Sequence, residues 1–145
     1  VRKGLPGPYQ GYGDWLSINA ETPLELIGTA FWAYDAKLMA ECARHLGEDA
    51  SRWESTAQTA TAGFRRRYVT EDGIVGTGSQ TSLLLALRFG LLEERHVPTA
   101  VQALVDDIGK RGWKLSAGFV GSPYLCRTLD EGGRLDVAYR LLHQK

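Results

Sequence analysis

Between Thr22 and Leu46 the apolar positions include Leu24, Leu26, Ile27, Ala30, Phe31, Trp32, Tyr34, Leu38, Met39, Cys42, Ala43 and Leu46. They wrap more than one stripe of a 3.6-residue repeat, which predicts an inner helix with most of its surface covered. Thr22-Pro23-Leu24-Glu25 reads as its start, with a capping threonine, a proline at the first helical position and a glutamate completing a capping box. Gly47 is its stop. From Ser51 to Tyr68 the pattern becomes one-sided: Trp53, Ala57, Ala60, Phe64 and Tyr68 share a face, while Glu54, Gln58, Arg65 and Arg66 lie off it. This predicts an outer helix, with a second capping box from Ser51 to Glu54.

The same two patterns return twice. Ser79 to Phe89 is almost entirely apolar from Leu83 to Leu87 and ends at Gly90. A buried strand could give such a run, but its Leu-Ala content and lack of β-branched residues favour a second inner helix. Glu93 to Lys110 is again one-sided, with Val97, Val101, Leu104, Val105 and Ile108 inward and Pro98 in the first turn. Ser122-Pro123 opens a third inner helix through Leu129, and Leu135, Ala138, Tyr139, Leu141 and Leu142 mark the stripe of a last outer helix. The expected fold is all-α: three helical hairpins at a spacing of about 40 to 55 residues.

The connections alternate as well, long and glycine-rich before each inner helix and short after it. Gly11 to Pro23, Gly76 to Thr81 and Gly118 to Pro123 are therefore expected to be neighbours on one rim. Helix N-termini converge there with free N–H groups, a natural place to bind oxygens. Residues 1–12, with Pro6 and Pro8, read as an irregular lead-in. Val1 is not a natural start and Lys145 follows directly on an amphipathic pattern, so 1–145 is expected to be a single partial domain.

Seventeen basic residues balance seventeen acidic ones, which gives no net field to recruit nucleic acid or an anionic membrane. No apolar run reaches the length of a membrane span, and no signal is visible, so the compartment stays open with the cytoplasm as default. Cys42 and Cys126 lie in helical patterns, far from metal-like spacing, and are expected to be reduced, buried fillers. His45, His96 and His143 show no ligand spacing, so no metal is expected. Arg65-Arg66-Arg67, Glu93-Glu94 and Asp106-Asp107 read as solvated helix charges, and Trp32, Trp53 and Trp113 as packing residues.

Gly13-Asp14-Trp15-Leu16, Thr22-Pro23, Gly78-Ser79-Gln80-Thr81, Leu85-Ala86-Leu87-Arg88-Phe89-Gly90-Leu91, Gly118-Phe119-Val120-Gly121-Ser122-Pro123-Tyr124-Leu125 and Gly133-Arg134-Leu135-Asp136-Val137-Ala138-Tyr139-Arg140-Leu141-Leu142 occur in this order. Each is weak alone. As an ordered set, spanning Tyr12 to Gln144, they resemble the catalytic region of bacterial α-L-rhamnosidases, glycoside hydrolase family 78. The resemblance implies an (α/α)6 toroid, of which three hairpins are about half. It also implies inverting hydrolysis of a terminal α-L-rhamnosyl bond by two carboxyl groups, without metal or cofactor.

The family's general acid lies in an Arg-Asp-Glu-containing segment before the Gly-Asp-Trp loop, and its general base in a Thr-Ile-Trp-Glu-like segment after the last helix seen here. Neither has a counterpart in this chain, so no catalytic residue is assigned and the isolated chain is expected to be inactive. Matched to the family's motifs, Asp14, Trp15, Gln80, Thr81 and Phe119 are candidate substrate-binding residues for an L-rhamnose-containing glycoside. An aromatic face suits the C–H face and methyl group of a 6-deoxy sugar, and a carboxylate accepts from its hydroxyls. Bland readings stand beside these: Trp15 packing its loop, Asp14 bonding its own turn, Gln80 and Thr81 capping a helix, Phe119 in the core. The alternatives for the whole chain are another six-hairpin glycosidase, glucoamylase-like or unsaturated uronyl hydrolase-like, and a non-catalytic helical-repeat binding module. Exposed inner helices of a half-ring would also favour self-association.

Overall fold

The computed structural model describes residues 11–144. Apart from Gly11 and Tyr12, the expected lead-in therefore lies outside the described residues. Six α-helices follow in order: α1 Leu24–Leu46, α2 Ser51–Tyr68, α3 Gln80–Arg88, α4 Val97–Lys110, α5 Leu125–Glu131 and α6 Leu135–Leu142. Short 3-10 turns at Glu94–His96 and Ser122–Tyr124 lead into α4 and α5. Among the described residues, extended pairing is confined to one antiparallel bridge, Val69 with Val75. The strand alternative for residues 79–89 is thereby overturned.

The helices pack as the hairpins α1/α2, α3/α4 and α5/α6, and α3 also touches α1 and α5, so the inner helices stand side by side. α3 is the centre of the described core: Gln80 through Ala86 are all buried, polar and apolar alike. Leu26, Phe64, Leu104, Ile108 and Leu129 close around it without exposed surface. Phe89, at the end of α3, stacks on Tyr34 at 4.1 Å and meets Phe31 and Tyr124 edge-on at 5.1 and 5.3 Å, joining all three hairpins. Such edge and offset contacts add to the burial of aromatic area.

α1 is covered over more than one stripe, since Ile27, Phe31 and Tyr34 pack partly buried against the core beside its fully buried residues. The fully buried ones are Leu26, Ala30, Ala33, Ala36, Ala40 and Ala43, and the small alanines let α2 approach through Ala57 and Ala60. Trp32, Leu38, Met39 and Leu46 are exposed on the other side, so Trp32 is not the packing residue its type suggested. Trp53 does pack, on Ala40, Ala43 and Ala50, and Trp113 lies half-buried with the Arg140 guanidinium 3.6 Å from its ring centroid. Both cysteines are exposed, contrary to expectation. On α5 the buried stripe is Leu125, Thr128 and Leu129, and that register turns Cys126 outward whatever its own preference for burial.

The two expected capping boxes are absent. α1 starts behind Pro23 with no side-chain cap, because the Thr22 hydroxyl pairs instead with the Ser79 hydroxyl at 2.7 Å. Ser51 lies inside α2, and Asp49 accepts from both its N–H and its hydroxyl at 2.9 Å. Those two bonds, the backbone one first, hold the Asp49 carboxyl below its ordinary range. Arg65 is not a solvated charge either. Its Nε and Nη2 donate to the carbonyls of Leu91 and Leu92 at 2.8 Å, and Lys37 donates to those of Phe89 and Gly90 at 2.6 and 3.0 Å. Cations thus cover the carbonyls of the short link that follows α3, from Phe89 to Leu92. Burial first, and the nearby Arg65 charge second, push the Lys37 ammonium below its usual range.

Candidate functional site

The three long connections meet at the end of the hairpins where α1, α3 and α5 begin. The first reaches the second through the Thr77 hydroxyl, which donates to the Glu21 carbonyl at 2.7 Å, and through the Thr22–Ser79 contact. It reaches the third through two backbone bonds, Ile18 N–H to Ser116 O and Phe119 N–H to Trp15 O, each 2.9 Å. Ser79 caps α3 by accepting from the Ser82 N–H at 3.2 Å. Gln80 and Thr81 are thereby released from the capping role and turn elsewhere.

Asp14 is buried between the first and third loops. Its carboxylate accepts from the Thr81 hydroxyl, from Gly118 N–H at 2.9 Å and from Val120 N–H at 3.0 Å. The partners on the third loop lie 104 and 106 residues away in sequence, so this is not an aspartate bonding its own turn. Charge-assisted bonds of this kind are the stronger class of hydrogen bond. A Cβ on Gly118 would lie 2.2 Å from Trp15 O and 2.6 Å from Asp14 O, and one on Gly121 would lie 2.3 Å from Thr81 Oγ1. The glycines of the third loop are there for closeness to its neighbours.

Gln80 is fully buried and works along the same seam. Its Oε1 accepts from Ser116 N–H at 2.9 Å, and its Nε2 donates to Asp107 Oδ2 at 2.9 Å and to Lys114 O at 3.3 Å. Trp15 and Phe119 are placed differently. They are 55% and 63% exposed, with rings stacked at a centroid distance of 5.3 Å, and Tyr12 tilts against Trp15 at 6.2 Å. Phe119 does not lie in the core, and Trp15 packs on Tyr12 and Phe119 while leaving about half of its surface open. The five candidates thus divide into three buried polar residues that tie loops together and two exposed rings that those ties present.

Among the described residues, three non-glycine residues adopt left-handed backbone conformations, Leu16, Asn19 and Trp113, with φ of 64°, 51° and 62°. All three belong to the first and third connections. Such residues cost roughly 1 kcal/mol each and persist only where the surroundings over-determine them. Asp107 and Arg111, read from the sequence as helix charges or not singled out at all, belong to that surround. Their i, i+4 spacing on α4 was legible, but the loop carbonyls that Arg111 reaches were not. A separate trough of about 840 Å³, lined by Lys37, Ala40, Arg44, Ala57, Arg65 and Gly90, lies toward the short-link end and shares no residue with the rim. Among the described residues, no three His, Cys, Asp or Glu side chains gather as a metal site, and no helix is long and apolar enough to cross a membrane.

Side-by-side inner helices, backed by outer ones and opening on an aromatic rim, make an arc of three helical hairpins. Residues 5–145 match the model of the bacterial α-L-rhamnosidase six-hairpin glycosidase domain, and the chain belongs to that family. It is 40% identical to an α-L-rhamnosidase of Streptomyces avermitilis over 142 residues, which is 98% of this chain and 14% of that protein. An α-L-rhamnosidase of Formosa agariphila is 36% identical over 90% of this chain and 15% of its own length. Among solved structures, the S. avermitilis α-L-rhamnosidase complexed with L-rhamnose superposes with a TM-score of 0.91, covering 94% of this chain and 13% of that one at 40% identity. The native α-L-rhamnosidase of Aspergillus terreus gives 0.86 at 28% identity, with 92% of this chain and 17% of that one covered. The chain therefore spans about one seventh of the length of the curated relatives it matches.

Proposed function

We propose that this chain supplies one arc of the sugar-binding rim of an inverting α-L-rhamnosidase. Trp15 and Phe119 form an apolar wall against the C–H face and methyl group of a terminal L-rhamnose, while Asp14, Gln80 and Thr81 serve the site by holding that wall in place. The observation that carries this reading is the exposed, stacked Trp15–Phe119 pair, fixed from beneath by the three bonds to the Asp14 carboxylate. Stacking of this kind recognises a sugar by its apolar face and leaves its hydroxyls to polar groups around it.

The chemistry itself needs two further carboxyl groups, one to protonate the departing glycosidic oxygen and one to activate water on the opposite ring face. We assign both to parts of the ring outside this chain. Asp14 is the buried acid at the rim, and its oxygens are already occupied by Thr81, Gly118 and Val120.

The test is steady-state kinetics on an aryl α-L-rhamnoside in a full-length protein that carries this chain. Trp15→Ala should raise KM about tenfold or more, an interaction worth about 1.4 kcal/mol or above. An unchanged KM would remove Trp15 from the sugar site. The 145-residue chain alone should show no turnover, and turnover abolished by substituting one of its own acids would place catalysis inside it.

A further inference from the structure

We infer that Arg111 and Asp107 are positioning residues for the aromatic wall, acting on Trp15 through the first loop without touching sugar. The inference rests on the proposed sugar-binding role of Trp15 and names what holds that side chain in register.

A closed circuit of hydrogen bonds carries it. Ile18 N–H donates to Ser116 O at 2.9 Å, and Ser116 N–H donates to Gln80 Oε1 at 2.9 Å. Gln80 Nε2 donates to Asp107 Oδ2 at 2.9 Å, and Arg111 Nε donates to the same oxygen at 2.8 Å. Arg111 then closes the circuit, with Nη1 donating to Ile18 O at 3.2 Å and Nη2 to Asn19 O at 3.3 Å. The first loop, the third loop, α3 and α4 are each represented in it.

The position of the circuit gives it a role. Asp14 anchors the first loop just before Trp15, and Arg111 anchors it at Ile18 and Asn19, just after. Between the anchors stand Trp15 and the left-handed Leu16, and Asn19 at the second anchor is left-handed as well. Phe119 N–H on Trp15 O and Ile18 N–H on Ser116 O tie the segment to the third loop, and the Arg111 fork adds the side-chain clasp on the far side of Trp15 that opposes pivoting about Asp14. Misplacing a binding group by about 1 Å is enough to lose much of its effect. The Arg111 fork is suited to this, because one planar guanidinium meets a carboxylate and two carbonyls together, which a lysine ammonium cannot do in the same geometry. The pair is also only partly exposed, at 28% and 23% of side-chain surface, so water competes less than at an open ion pair.

The experiment measures kcat and KM on an aryl α-L-rhamnoside in a full-length protein carrying this chain, for Arg111→Met, Arg111→Lys, Asp107→Asn and Trp15→Ala. Loss of positioning should raise KM about tenfold in Arg111→Met and by an intermediate factor in Arg111→Lys, with kcat held within about twofold. A role in stability alone would lower the folded fraction, and so the apparent kcat, at unchanged KM; that result overturns the inference. If Arg111→Met does not fold, Arg111→Lys and Asp107→Asn give the same split. A raised KM in Trp15→Ala with wild-type KM in both conservative variants overturns the positioning role and leaves the wall intact. A wild-type KM in Trp15→Ala overturns the wall, and the role of Arg111 with it.

Discussion

The two ends of the hairpins solve the same problem by different means. At the short-link end the chain turns through left-handed glycines at Gly47, Gly90 and Gly133, and cations from α1 and α2 cover the carbonyls of the link after α3. The glycine turns are local to a helix end, and both devices would serve any helical bundle. At the rim the turns are long, three of their left-handed residues are not glycine, and the bonds that hold them cross from one loop to another. One end is built to stop helices, and the other to display side chains at fixed places.

The largest effect should come from filling the gap between the first and third loops. Gly118→Val would push a branched side chain into Trp15 O and Asp14, part the two loops and cost about 1–3 kcal/mol by overpacking. Denaturant unfolding should report that loss. Affinity for L-rhamnose in the full-length protein should fall at least tenfold in the fraction that remains folded. At the other end, Gly90→Ala places an ordinary residue at φ +61°, where its Cβ meets Lys37 Nζ at 3.6 Å without a clash. It should cost about 1 kcal/mol from the backbone alone and leave sugar affinity unchanged. A change in affinity there would show that the two ends are not independent.

The smallest effect concerns acid. The folded-state value of the Asp49 carboxyl lies below its unfolded one, so its contribution to stability is complete above the ordinary carboxylate range. It is lost as the pH falls through the lowered value. The stability difference between the wild type and Asp49→Asn should therefore be present at neutral pH and narrow in acid, as thermal melts across that range would show.

The sequence carried the helices well and their surroundings poorly. Hydrophobic period and glycine stops bounded α2 at Ser51 and Tyr68 and α1 at Leu46, because those signals are local. Partner choice is not local. Thr22 had the form of a cap but found the Ser79 hydroxyl, and Asp107 looked like a surface charge but faces Gln80 and Arg111. The motif match drew attention to all five candidate residues at the rim. It could not separate the exposed rings from the buried ties, since that distinction depends on which loop lies against which.

The Asp14 bonds to Gly118 and Val120 join positions more than a hundred residues apart. Lengthening either loop by one residue would misalign an anchor in the other, so insertions should be tolerated poorly in both. Exposed rings such as Trp15 and Phe119 carry no such obligation. Variation that retunes the rim can therefore proceed by single exchanges at its surface while loop lengths stay fixed, and the frame beneath changes only when both of its halves change together.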